Sequence, residues 1–247
     1  MDIASFVEPA TEGLVNDFIA TMPESYRATY SPEVVQQHAL LAIGRRSRPA
    51  HVGLFSGANG QPALCVVAPD MPGLLAAISA SLMLEGFDVA QAEAYTRTTQ
   101  QGEREAVDLF WVRRRGASER GPLSDVDVAA TQATLNDVLE GGGMARPRSR
   151  RATVAQPSGK ETTVRFQQRR HVPWWTLELE TNDRSGLLLA VTSALYGEGV
   201  HIIGSRIQTR GPRVYDRFDI VEGDGSPIQG SRLRRLQLAV LAAVDGS

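Results

Sequence analysis

Residues 70–97 read DMPGLLAAISASLMLEGFDVAQAEAYTR, and residues 183–210 read DRSGLLLAVTSALYGEGVHIIGSRIQTR. At a constant offset of 113 the two stretches share ten identities in 28 positions, among them Asp70/Asp183, Gly73/Gly186, Leu74/Leu187, Leu82/Leu195, Gly86/Gly199 and Arg97/Arg210. The match resumes after a gap, with residues 108–112 (DLFWV) opposite residues 216–220 (DRFDI). Register held over that distance identifies a duplicated unit, and the unit decides the fold.

Each copy runs through the same elements. Apolar residues 63–68 precede Asp70, which predicts a strand buried on both faces. Residues 174–181 precede Asp183, with Trp175, Leu177 and Leu179 alternating against Thr176, Glu178 and Glu180; this predicts a strand buried on one face. Leu75, Ile78 and Leu82 then fall at helical spacing, as do Leu188, Val191 and Leu195. Gly86 and Gly199 stand where a left-handed residue would end each helix. Further strands are expected over 87–97 and 107–112, and over 200–210 and 214–221. A second helix closes each copy, with Leu135 and Val138 in one and Leu236, Val240 and Val244 in the other. A strand over 51–55 precedes the first copy, joined to it through the hairpin signal Asn59-Gly60, and residues 162–166 take the same place before the second. The order is strand, strand, helix, strand, strand, helix, twice. It predicts an α+β protein of two ferredoxin-like modules, each an antiparallel four-stranded sheet with two helices on one face.

The expected division is a helical N-terminal segment over 1–48, a first module over 49–140, a basic linker over 141–160 and a second module over 161–247. Helices are predicted over 11–22 and 32–46, with Pro32 in a first turn. Residues 141–170 hold eight Arg and Lys against one Glu, which reads as a solvated linker rather than a nucleic-acid contact. The 247 residues are 42% hydrophobic and 22% charged, which excludes wholesale disorder. A net charge of −2 excludes bulk attraction to polyanions. No apolar run approaches the roughly 20 residues of a membrane span. The N-terminus shows no secretory pattern, so a cytoplasmic location is expected, without membrane contact. The single cysteine, Cys65, excludes a disulfide framework or a multi-cysteine metal cluster.

A strand, then Asp-x-x-Gly-Leu-Leu, then a helix, a glycine and a strand ending in Thr-Arg resembles the ACT domain, a small module that binds amino acids. Three further segments point to one enzyme family. They are Met22-Pro23-Glu24-Ser25-Tyr26 with Pro32-Glu33 and Gln37-His38-Ala39; Thr163-Val164-Arg165-Phe166; and Ile207-Gln208-Thr209-Arg210-Gly211 with Asp216-Arg217-Phe218. Together they resemble the C-terminal tandem ACT region of the bifunctional uridylyltransferase/uridylyl-removing enzyme that modifies PII proteins. The family's nucleotidyltransferase and His-Asp hydrolase portions have no counterpart here, since none of His38, His51, His171 and His201 precedes an aspartate. The resemblance therefore implies a non-catalytic regulator needing no cofactor and no metal. Its implied ligand is a small amino acid, glutamine first. Its implied partner is a PII-type protein or a second copy of the chain. The runner-up is an interaction module that docks or dimerises without any ligand.

By the same resemblance, ligands sit where one module's turn faces a neighbouring module's second strand. That implicates Asp70, Met71, Pro72, Gly73 and Leu74 in the first turn, Asn182, Asp183, Arg184, Ser185, Gly186 and Leu187 in the second, and Ala92 and Ser205 on the strands. The family's Asp-Arg-Pro-Gly is altered in both copies: Met71 replaces its arginine and Ser185 its proline. Physically, such a turn presents helix N-terminal N–H groups suited to a carboxylate, and an aspartate suited to capping or to an ammonium group.

Other motifs have blander readings. Ser124-Asp125-Val126-Asp127 mimics a magnesium-holding Ser-Asp-x-Asp, but after Gly121-Pro122 it reads as an N-cap completed by Asp127 in a capping box. Gly223-Asp224-Gly225 reads as a turn, Cys65 as an inert core thiol, and the histidines lack ligand spacing. Trp174 and Trp175 are expected to anchor a sheet edge or a module interface.

Overall fold

The computed structural model describes residues 9–57, 61–115, 122–141 and 162–246. Three helices come first: α1 (Pro9–Thr21), the one-turn α2 (Glu24–Arg27) and α3 (Pro32–Arg45). The first repeat follows as β1 (His51–Ser56), β2 (Pro62–Pro69), α4 (Leu74–Leu84), β3 (Phe87–Thr98), β4 (Arg104–Arg114) and α5 (Asp125–Glu140). The second follows as β5 (Thr163–Gln167), β6 (Trp175–Asn182), α6 (Leu187–Gly197), β7 (Val200–Arg210), β8 (Arg213–Glu222) and α7 (Leu233–Asp245). The order expected of each copy is the order observed. The Asn59-Gly60 turn and nearly all of the basic linker lie outside the described residues, but β1 and β2 do pair antiparallel.

Two separate four-stranded sheets were expected; the strands instead form one. The order is β1-β2-β4-β3-β7-β8-β6-β5, with antiparallel pairing throughout. The reason lies at the edges. Within each half, β3 or β7 would expose a row of unpaired N–H and C=O groups. Here the two edges satisfy each other, through Gln91↔Gln208, Ala92↔Ile207, Glu93↔Arg206 and Ala94↔Ser205. Antiparallel pairing of equivalent strands relates the halves by an approximate two-fold across this seam. Each also carries a register shift at the matched place, between Val89 and Gln91 and between Ile202 and Gly204.

One face of the sheet is covered by α4 to α7, and a single core runs beneath both halves. Leu75, Ile78, Leu82 and Leu135 pack there with Leu188, Val191, Leu195, Leu236 and Val240. On the other face α1 to α3 cover only the first half. Phe18, Met22, Tyr26, Val35 and Ala39 pack on Ala63, Cys65, Val67, Val107 and Leu109. This explains why β2 is apolar at every residue from Ala63 to Ala68 while β6 alternates. Each fully buried Phe, Met, Val or Leu side chain of this layer stabilises the fold by roughly 1.5–3 kcal/mol.

The N-terminal layer is also pinned by polar contacts. Tyr30 and Tyr95 donate hydrogen bonds to buried Glu93, at 2.6 and 2.7 Å, and Arg206 reaches the same carboxylate across the seam at 3.0 Å. Tyr26 OH lies 2.7 Å from Nδ1 of His38, whose imidazole burial pushes down to about 4. Trp175 is not on an edge strand: its Nε1 donates to the Ile228 carbonyl (3.0 Å), tying β6 to the loop before α7.

Candidate functional site

Both Asp-x-x-Gly turns end in a left-handed glycine at a helix N-terminus, Gly73 (φ +86°) before α4 and Gly186 (φ +75°) before α6. A residue with a Cβ is strained at such angles, so glycine sets the turn. The backbone repeats in detail. Asp70 N–H donates to the Arg104 carbonyl (3.0 Å) and Asp183 N–H to the Pro212 carbonyl (2.8 Å). The first turn faces β7 of the other half, and the second faces β3. Two recesses result, one on each side of the seam.

The second recess is a narrow cleft with about 30 Å3 of room inside it, open to solvent on one side. It is lined by Met83, Phe87, Asp88 and Val89 from the first half and by Asp183, Arg184, Gly186, Leu187 and Asp216 from the second. Asp183 pairs with Arg113 of the first half (2.9 Å), and Ser185 donates to Asp88 (2.7 Å). Arg184 donates through Nη2 to the Ala243 and Val244 carbonyls at the end of α7, leaving its Nε buried without a partner. Asp216 is 2% exposed, sits on the helix-facing side of β8 between Val214 and Phe218, and its Oδ1 has no hydrogen-bond partner. Burial first, and Asp183 second, push its carboxyl well above the usual carboxylate range, against the Gln208 N–H.

On the first side the matching space is divided into two adjoining clefts of about 10 Å3 each, one of which includes Asp70, Leu74, Thr96, Asp108, Ile202 and Ile203. Asp70 accepts from Arg104 (2.7 Å) and lies 3.3 Å from Nε2 of His201 on β7. Burial raises its carboxyl, but His201 and Arg104 outweigh that and hold it below the ordinary value. Asp108 is the counterpart of Asp216 and is likewise pushed up, by burial and then by Asp70. The Tyr196 ring closes over Gly73.

Residues 70–74 therefore line the first recess and its neighbouring cleft, except Pro72, and Asp183, Arg184, Gly186 and Leu187 line the second. Asn182 pairs with Arg213 at the end of β6. Ala92 and Ser205 sit on the seam itself, opposite Ile207 and Ala94, and line neither recess. The strand residues that meet the turns lie nearer the strand starts: Asp88 and Val89, and His201, Ile202 and Ile203. Sequence reasoning missed these and both buried aspartates. A signal existed, since Asp108 and Asp216 match in the repeat and each interrupts an apolar strand face.

The remaining motifs resolve simply. The capping box of Ser124 and Asp127 is present, and Arg114 also donates to Asp127 (2.7 Å). Residues 223–225 make a turn, with Gly225 N–H donating to the Glu222 carbonyl. Cys65 is fully buried, and burial raises its thiol pKa. Among the described residues no group of three or more His, Cys, Asp or Glu is placed to hold a metal ion, and no helix is long and apolar enough to cross a membrane.

Fold and site together define an α+β protein of two matched halves with paired recesses along a shared seam. Its relatives are specific. The chain is 25% identical over 234 residues to the bifunctional uridylyltransferase/uridylyl-removing enzyme of Phenylobacterium zucineum, covering 94% of this chain and 24% of that protein. The enzyme of the same name from Gluconobacter oxydans is 26% identical over 251 residues, covering 94% and 25%. That from Cupriavidus pinatubonensis is 30% identical over 189 residues, covering 74% and 21%. The chain thus spans about a quarter of the length of the curated relatives it matches. No protein-family model matches it. A solved structure of an unknown protein from Galdieria sulphuraria aligns over 73% of this chain and 89% of its own, at 15% identity and a TM-score of 0.24.

Proposed function

We propose that the chain is a non-catalytic regulatory protein that binds a small amino acid through two ACT-type modules, residues 49–140 and 161–247. In this reading residues 1–48 are a helical cover and residues 141–160 a linker. Glutamine is the first candidate ligand, by resemblance to the uridylyltransferase family. The observation that carries the reading is the pair of recesses, each made by an Asp-x-x-Gly turn at one half's helix N-terminus and a strand of the other half. A helix N-terminus offers N–H groups to a carboxylate, and the aspartates beside it offer acceptors to an ammonium group. Calorimetric titration of the chain with each of the twenty amino acids tests this directly. Heat from a small subset, glutamine included, is expected; no heat from any of them overturns the reading.

A second reading is favoured by the sheet face of the second half, which no helix covers among the described residues. Where α1 to α3 cover the first half, Arg165, Glu178, Arg206, Tyr215 and Arg217 line an open polar hollow of about 230 Å3. In that reading the chain docks on a PII-type protein or on a second copy of itself without a ligand, and capture of the partner is indifferent to added amino acids. Catalysis is excluded from both readings. Incubation with UTP, magnesium and a PII protein is expected to transfer no label.

A further inference from the structure

The seam between the halves has a centre, and its register fixes which residues stand there. Across it the pairs are Gln91↔Gln208, Ala92↔Ile207, Glu93↔Arg206 and Ala94↔Ser205. The repeat relates each residue of β3 to the one 113 positions later in β7. Of these pairs only Glu93 and Arg206 satisfy both relations, being partners across the seam and equivalents in the repeat. The approximate two-fold therefore passes between them. Two identical halves would place identical residues there. This chain places a carboxylate against a guanidinium, 3.0 Å apart.

The carboxylate depends on that partner. Glu93 is 4% exposed and lies under the hydroxyls of Tyr30 and Tyr95, and Arg206 is the one cation paired with it among the described residues. Two first halves joined through β3 in the same register would set Glu93 against a second Glu93, both buried and neither with a guanidinium. A buried charge stripped of its partner is the costly case. Two second halves would set Arg206 against a second Arg206, and like charges directly opposite on neighbouring strands destabilise the pairing. The helix-facing side of the seam is uneven in the same sense. Ile207, 3% exposed, fills the core opposite Ala92, and Ser205 stands opposite Ala94. A seam between two first halves would bring only Ala92 and Ala94 together there, leaving the space of Ile207 as a cavity.

We infer that Glu93 and Arg206 sort the edges of β3 and β7: opposite charges on the two-fold make each half pair with the unlike half and reject the like half of a second copy. Each of these strands has an edge that any equivalent strand could continue. The backbone is repeated and does not tell the two apart. The side chains on the axis do, because attraction within the unlike pair is joined to repulsion within both like pairs. The edge of β3 is thus reserved for the chain's own second half, and assembly with a second copy uses another surface. The inference holds whatever the recesses bind.

Substitutions in the whole chain reproduce the charges of each like pairing. Arg206→Glu sets carboxylate against carboxylate, Glu93→Arg sets guanidinium against guanidinium, and the two together restore an unlike pair. Arg206→Glu is expected to lower the melting temperature of the wild-type chain by at least about 4 °C. In the Glu93→Arg background it is expected to raise it, a change of sign that a purely steric role does not give. Should Glu93→Arg not fold, Glu93→Gln keeps an acceptor for the tyrosines and is the second background, where Arg206→Glu is expected to cost less than half as much. For sorting between copies, tagged Arg206→Glu and untagged Glu93→Arg chains are refolded together from urea. Exchange of halves then gives every axis one carboxylate and one guanidinium. The untagged chain is expected to co-purify in excess of the amount seen when each variant is refolded with an untagged copy of itself. If Arg206→Glu lowers every background alike, or if the mixed refolding gives no excess, the inference is overturned.

Discussion

Gly73→Ala separates backbone strain from side-chain closure at the first turn. Gly73 sits at φ +86°, and an L-residue in the left-handed region is destabilised by about 1–2 kcal/mol. An added Cβ would also lie 2.8 Å from two carbons of the Tyr196 ring, closer than such atoms approach. The ring is 39% exposed and can swing outward, giving up contacts with the turn, so overpacking adds about 1 kcal/mol. The expected cost of Gly73→Ala is therefore about 2–3 kcal/mol, or roughly 4–12 °C in melting temperature for a chain of this size. Gly186→Ala is the internal control. Its backbone angle is nearly the same, φ +75°, but its Cβ meets only the Met83 sulfur at 3.3 Å, the mobile part of a flexible side chain. It should cost the backbone share alone, about 1–2 kcal/mol. In a Tyr196→Ala background Gly73→Ala should fall to that same value, giving a coupling of about 1 kcal/mol in the double-mutant cycle. Urea unfolding followed by circular dichroism supplies all four corners. Equal costs for Gly73→Ala and Gly186→Ala with no coupling to Tyr196 would show that the ring does not seal the first recess.

Two further outcomes follow from the structure. His38 is held neutral, at about 4, so between pH 6.5 and 4 the unfolded chain takes up a proton that the folded chain refuses, and stability falls with pH. At about 1.4 kcal/mol per pH unit the loss approaches about 3 kcal/mol at pH 4; denaturation midpoints at pH 7 and pH 4.5 should show it, and His38→Gln should flatten the slope. Ser124→Ala opens the capping box on α5 and should cost about 1 kcal/mol whether or not magnesium is present; a magnesium-dependent change in melting would reinstate the metal reading of Ser124-Asp125-Val126-Asp127.

Much of the fold was legible because the chain carries its pattern twice. A single copy of Leu75, Ile78 and Leu82 is one amphipathic stripe among many, but the same stripe repeated at Leu188, Val191 and Leu195 fixes helix and register together. The contrast between β2 and β6 could be read for the same reason, since burial on two faces removes the polar alternation. The fusion of the sheets could not. Glu93 and Arg206, which meet across the seam, are ordinary charged residues in two equivalent strands, and edge pairing leaves no composition mark when the partner edge is the repeat itself. The one-turn α2 escaped notice because four residues give no periodicity. At the site, the turns were legible because their glycines need φ above zero. The strand residues were misplaced by several positions, because which part of β3 or β7 meets a turn depends on the seam register and not on either strand alone.

Duplication also explains how one scaffold makes two unequal recesses. Every backbone feature that shapes them is shared, down to the carbonyls of Arg104 and Pro212 that receive the Asp70 and Asp183 N–H groups. What differs is the set of side chains around the paired aspartates. In the first recess Arg104 and His201 flank Asp70, and Nδ1 of His201 is left without a partner. In the second Arg113 pairs with Asp183 and Ser185 donates to Asp88, while Oδ1 of Asp216 has no partner. The second recess is also built from both halves, Asp88 and Val89 from one and Arg184 and Asp216 from the other, beside a seam of four residue pairs. A solute held there binds only the joined arrangement, and at a hundred times its dissociation constant mass action stabilises that arrangement by about 2.7 kcal/mol. In the proposed amino-acid reading, ligand occupancy would firm the join between the halves, a change that a surface spanning the seam, Glu93 and Arg206 included, is placed to report.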